Sequence, residues 1–181
     1  MKNTLTKSKI LTLGLVFCVL MTSCEEEAPA QQTGKYKGPK REEDNMELIM
    51  TDSARLSVRL QAPKLLVMQN EDQHFTKGIF IEFYNKNGIK TTTLRANKGV
   101  QYRATNVHIA LGNVIVTNLE KNQTLKTERL DWNPDTKKLY TDKFVTIITP
   151  EERIEGTGLE AKQDFSSYKM RKISGVFSVD Q

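Results

Sequence analysis

Asp131, Asp135 and Asp142 are the first residues in this chain whose type and proximity could do chemistry. Two carboxylates on opposite sides of a glycosidic bond can cleave it, one as acid and one as base or nucleophile. These three flank turn signals, where Asp favours the turn for local reasons. The two histidines, His74 and His108, lack cysteine partners and metal-ligand spacing. His74 falls in a polar stretch, and His108 alternates with Val107 and Ile109, which reads as pointing outward. No Ser-His-Asp order, phosphate-cradling glycine loop or helical histidine pair occurs. The expectation is a chain without catalytic residues, metal or cofactor.

One residue does suggest covalent chemistry of another kind. Lys2, Lys7 and Lys9 precede an apolar run from Ile10 to Met21, followed by Thr22-Ser23-Cys24. A basic start and an apolar stretch too short to span a bilayer comfortably form a secretory leader. Small residues before a cysteine resemble the site where bacteria attach a diacylglycerol to the thiol and cleave before it. Residues 1–23 are therefore read as a lipoprotein signal peptide and Cys24 as the lipid attachment site. Met21 stands where leucine is usual. Cys18 leaves with the leader, so the mature chain has no thiol free to form a disulfide. The whole chain has 27 Lys and Arg against 22 Asp and Glu, a net charge of +5. Loss of three lysines brings it close to neutral. With no basic stripe interleaved with aromatics, nucleic acid is not expected as a partner.

The rest of the chain is organised by a repeat. Leu60-Gln61-Ala62, Leu94-Arg95-Ala96, Leu125-Lys126-Thr127 and Ile154-Glu155-Gly156 open similar units. Leu60 to Leu94 is 34 residues, Leu94 to Leu125 is 31, and Leu125 to Ile154 is 29. A near-fixed period with small drift marks stacked units. Within each unit apolar residues fall on every second position, as in Leu56-Ser57-Val58-Arg59-Leu60 and Val107-His108-Ile109-Ala110-Leu111. Asn85-Lys86-Asn87-Gly88, Glu120-Lys121-Asn122-Gln123 and Asn133-Pro134-Asp135 punctuate them. The expected fold is all-β, built from repeated hairpins that share one core, because a lone hairpin cannot bury its apolar face.

Residues 24–44 read as a flexible tether, with Glu25-Glu26-Glu27, Pro29, Gly34, Gly38 and Pro39 and little that is apolar. Residues 45–181 read as the folded domain, opening with an edge strand from Met46 to Asp52. Gly78 to Tyr84 is nearly continuous in apolar residues and reads as covered on both faces. Lys169, Arg171 and Lys172 suit a final edge strand, where charge discourages stray pairing.

Taken in order, Leu94-Arg95-Ala96, Gly112-Asn113-Val114, Leu125 to Asn133, Leu139-Tyr140-Thr141-Asp142 and Ile154 to Ala161 resemble the LptC family. That family is the periplasmic component of the lipopolysaccharide export ABC transporter. The likeness runs from about residue 46 to 177. It implies a β-jellyroll open along one side, with the acyl chains of lipopolysaccharide held inside. It implies partners as well: the inner-membrane ABC transporter, and a periplasmic bridge of similar jellyrolls joined by edge-strand pairing. Many members carry an N-terminal transmembrane helix, whereas this chain reads as lipid-anchored. The role fits a periplasm-facing anchor in the inner membrane rather than the outer.

Alternation and repeat register place Leu60, Ala62, Phe80, Ala96, Ile109, Val114, Val116, Val145 and Ile147 on the inner, lipid-facing side. The competing reading is a lipid-anchored β-sandwich that binds glycans or proteins, and a third is a β-helix carbohydrate enzyme. A sandwich should fill its interior with its own side chains, whereas a carrier should leave an apolar groove.

Overall fold

The computed structural model describes residues 36–163 and 167–178. The leader, Cys24 and the tether as far as residue 35 lie outside the described residues. Eleven antiparallel strands account for most of the rest. They are β1 (Arg41–Asp52), β2 (Arg55–Val67), β3 (Gln73–Phe75), β4 (Ile79–Tyr84), β5 (Lys90–Ala96) and β6 (Lys98–Tyr102), then β7 (Val107–Asn118), β8 (Gln123–Asn133), β9 (Lys138–Ile148), β10 (Glu152–Lys162) and β11 (Tyr168–Ser178).

The sheet forks. One edge of β2 pairs with β4 through Val58 to Gln61, then with β3 through Leu65 to Val67. The facing edge of β7 pairs with β6 through Val107 to Leu111, then with β5 through Arg95 opposite Ile115. Thus β4 and β5 bridge β2 to β7 in one layer, and β3 and β6 bridge them in the other. Each long strand belongs to both layers, bending where they part. The buried residues of both layers form one core cluster, so the layers face each other, an arrangement consistent with a β-jellyroll.

The bend has local causes. Pro63, which has no N–H to give, sits where β2 leaves β4 and joins β3. Gly78 (φ +104) separates β3 from β4, and Gly112 (φ +73) with Asn113 (φ +45) makes the bulge in β7. Further register shifts fall between Thr127 and Asp131 and between Thr157 and Leu159, beside Gly158 (φ +76). Glycine and asparagine tolerate the left-handed backbone these bulges need. The bulges together form a crease across the sheet, and residues 107–111 and 114–118 are two limbs of one bent strand.

Burial follows cross-strand rows. Leu48, Leu60, Ile81, Leu94, Val116, Leu125, Ile147, Ile154 and Val176 stand opposite one another, one on each of β1, β2, β4, β5, β7, β8, β9, β10 and β11. Directly opposed residues share a face, so this is one continuous apolar band on the inner side. The next row outward from it, Glu47, Gln61, Phe80, Arg95, Ile115 and Lys126, is largely polar.

That second row corrects two expectations. Phe80 does not face the interior: it lies between Gln61 and Arg95 and is 37% exposed, while Ile79, Ile81 and Phe83 turn inward. β4 is therefore covered on its inner face, with Phe80 open on the outer one. The fold also begins before residue 45. Arg41 to Asp44, charged enough to read as tether, pair with Lys64 to Val67, and Lys64 bridges Glu42 (2.8 Å) and Asp44 (3.2 Å). An edge strand needs backbone partners more than apolar side chains. Likewise β3 forms within a stretch that reads as a polar loop, with His74 between Leu66 and Val100.

On the outer face of β4, Glu82 is nearly buried, ion-paired with Lys90 and with Arg59 (3.9 Å), and accepts a hydrogen bond from Tyr84 Oη at 3.0 Å. The Lys90 hydrogen bond holds the Glu82 carboxyl below its ordinary value, against the opposing effect of burial. A carboxylate whose folded pKa is depressed stabilises the fold fully above its unfolded pKa, and that stability is lost as pH falls through the folded value. Denaturation of Glu82→Gln across an acid series should show a flatter decline below the ordinary carboxylate range than the parent. Parallel declines would remove Glu82 from the account.

Candidate functional site

The two ends of the interior differ. Around β8, β9 and β10 it is solid: Leu125, Ile147 and Leu159 are at most 2% exposed, and Val114 and Val145 are fully buried at the crease. Between the β1–β5 part of the first layer and the β3–β8 part of the second, the layers stand apart. A slot of about 400 Å³ remains, a volume typical of small-molecule sites. Leu60, Ile81, Leu94 and Val116 form its first wall, with Phe75 and Leu130 facing them. Its surface is predominantly apolar. A more open hollow of about 530 Å³ at the crease mixes Met46 and Phe80 with Glu47, Gln61 and Lys77. The slot is the better candidate because apolar area removed from water, not volume, drives the binding of an apolar guest.

Of the residues placed inside by sequence, Leu60 and Val116 border the slot. Ala62, Ala96, Val114, Val145 and Ile147 belong to the packed core rather than the slot wall. Phe80 lies outside, for the reason given above. Ile109 is buried and borders the slot, but it pairs with Val100 and Asp131 and stands apart from the core cluster. The inward positions beside it are His108 and Ala110. His108 is thus turned in, not out. It stands opposite Gln101 and Trp132, with its ring 4.9 Å from the Trp132 ring. Burial holds the imidazole below its usual pKa and so favours its neutral form.

Sequence reasoning missed Ile81, Leu94, Phe75 and Leu130 as wall residues. Leu94 and Leu60 open corresponding repeat units, so the repeat itself carried that signal.

Each of the three aspartates singled out by sequence has a partner of its own. Asp131 is taken by Arg129 through two hydrogen bonds of 2.7 and 2.8 Å. Asp135 accepts from Asn106, and Asp142 pairs with Lys143. Among the described residues no group of His, Cys, Asp and Glu could hold a metal ion, and no helix is long and apolar enough to cross a membrane.

Fold and slot together define an all-β, jellyroll-like scaffold with an apolar interior opening. The family described as "Lipopolysaccharide-assembly, LptC-related" matches residues 10–170. The chain belongs to this family, and so to the components of lipopolysaccharide transport in the cell envelope. A search of curated proteins found no match.

Proposed function

We propose that this protein shields lipopolysaccharide acyl chains in its slot and passes the lipid from an inner-membrane ABC transporter to a periplasmic bridge, without enzymatic chemistry. The observation that carries this reading is the unbroken apolar row. It lines the slot at Leu60, Ile81, Leu94 and Val116 and continues to both edges of the sheet, where Leu48 is 40% and Val176 57% exposed. A chain of about 14 carbons crossing water unprotected would lose on the order of 10 kcal/mol, at roughly 0.8 kcal/mol per methylene. A slot of matching polarity removes that cost, and passage between like slots is nearly level.

Among the described residues both terminal strands keep a free edge, since there β1 pairs only with β2 and β11 only with β10. Ile49 on β1 and Ile173 and Phe177 on β11 leave apolar surface there. Strand addition at these edges would join the slot to a neighbour's. Cys24, acylated, would hold the domain at the periplasmic face of the inner membrane by residues 24–40 as tether.

Leu94→Asp tests the reading in cells. The new carboxylate would stand in the slot, where each acyl chain would have to desolvate it. Cells depending on this variant should fail to deliver lipopolysaccharide to the surface and should accumulate it at the inner membrane. Normal surface delivery by a folded Leu94→Asp protein would contradict the proposal.

A further inference from the structure

The two lips of the slot are chemically unlike. On the first layer the outermost inward row is Met50, Val58, Phe83 and Thr92, mostly apolar. On the second layer it is Gln73, Gln101, His108 and Trp132, set opposite one another across β3, β6, β7 and β8. All four border the slot. Trp132 Nε1 donates to Gln163 Oε1 at 3.3 Å. Among the described residues nothing bonds to the side chains of Gln73, Gln101 or His108, apart from the ring contact of His108 with Trp132. They are half-buried and within reach of water.

A purely hydrocarbon guest is a poor match for this lip. It would strip water from two amides and an imidazole and return no hydrogen bond, leaving polar groups buried and unmet. Glutamine offers both a donor and an acceptor, and neutral histidine offers one of each. An ester, amide or hydroxyl group complements that set, and in an acylated lipid such groups stand at the head of each chain.

We propose that Gln73, Gln101 and His108 form a polar lip that receives the ester, amide or hydroxyl at the head of an acyl chain, with the hydrocarbon running past Phe75 and Ala110 towards the crease. The inference rests on the slot being an acyl carrier, and it adds the direction in which a chain lies and the groups that fix it. The head of the lipid then stays at the mouth, on the β3–β6 side, while the tail is covered.

Trp132 is the chain's single tryptophan and lies in this row, so it reports on the lip alone. The full chain is titrated with two isomers of a long-chain acyl ester, one brominated beside the carbonyl and one near the methyl end. Bromine quenches indole at close range. The carbonyl-side isomer should quench Trp132 fluorescence several-fold more strongly. Equal quenching, or stronger quenching by the methyl-end isomer, would overturn the lip while leaving the slot as an acyl site. Quenching by neither isomer would remove both. In a second measurement, Gln73→Leu with Gln101→Leu should weaken ester binding roughly tenfold, the scale of one or two hydrogen bonds. The same pair should not weaken binding of a bromoalkane of equal length. Equal loss for ester and alkane would count against the lip.

Discussion

Ile147→Asp should prevent the domain from folding at ordinary temperature. Ile147 is 1% exposed and sits between Leu125 and Ile154 in the apolar row, at the solid end of the interior. Truncating such a residue costs about 2–5 kcal/mol. A carboxylate left unpaired there adds several kcal/mol more, on the order of the charge-burial penalty. Whole domains are stable by only about 5–15 kcal/mol. No disulfide can compensate within the sheet, because the two cysteines are Cys18 and Cys24. The same substitution at Leu94, two strands before Leu125 in the row, should leave a cooperatively folded protein, since that side chain borders the slot and water can reach it. Urea unfolding followed by Trp132 fluorescence separates the two. Equal damage at both positions would mean that the β5 part of the row is packed as tightly as the β9 part, and that the slot is closed.

The second large effect is expected at Gly156. A side chain there would run into the Lys172 carbonyl oxygen and the Met170 sulfur and come within 3.1 Å of Ile173 Cα. Two of those contacts are backbone of β11, so rotamer changes cannot relieve them. Gly156→Val should therefore detach β11 from β10 while the strands before it stay paired. Lys169, Arg171 and Lys172, in the first half of β11, make the loss easy to read: trypsin should cut there rapidly in the variant and slowly in the parent. Unchanged resistance of β11, with an intact thermal transition, would show that the sheet absorbs the added methyl groups.

The architecture was legible because the repeat is physical. Leu60, Leu94, Leu125 and Ile154, picked out by period alone, occupy alternate strands of one cross-strand row. Each repeat unit contributes two strands to this row, and its first apolar landmark returns to the same height in the sheet. The register of β4 was not legible. Ile79-Phe80-Ile81 does not alternate, and what turns Phe80 outward is Gln61 and Arg95 on neighbouring strands. His108 misled for the opposite reason. Its apolar neighbours Val107 and Ile109 suggest that it points out, yet its position opposite Trp132 and Leu139's row turns it in. Burial at Val114, Val145 and Ile147 could be read from alternation, but which part of the interior stays open could not. That depends on where the layers diverge, and the bulges at Gly112-Asn113 and beside Gly158 set the crease without revealing the gap.

Ile81 and Phe80 provide the most direct test of acyl chains in the slot. They are adjacent in sequence and face opposite sides of the same strand. A photo-reactive side chain placed at either position reports on one face only. In living cells, irradiation should yield a lipopolysaccharide adduct from position 81 and little or none from position 80. Adducts from position 80 alone, or from both equally, would contradict transport through the interior.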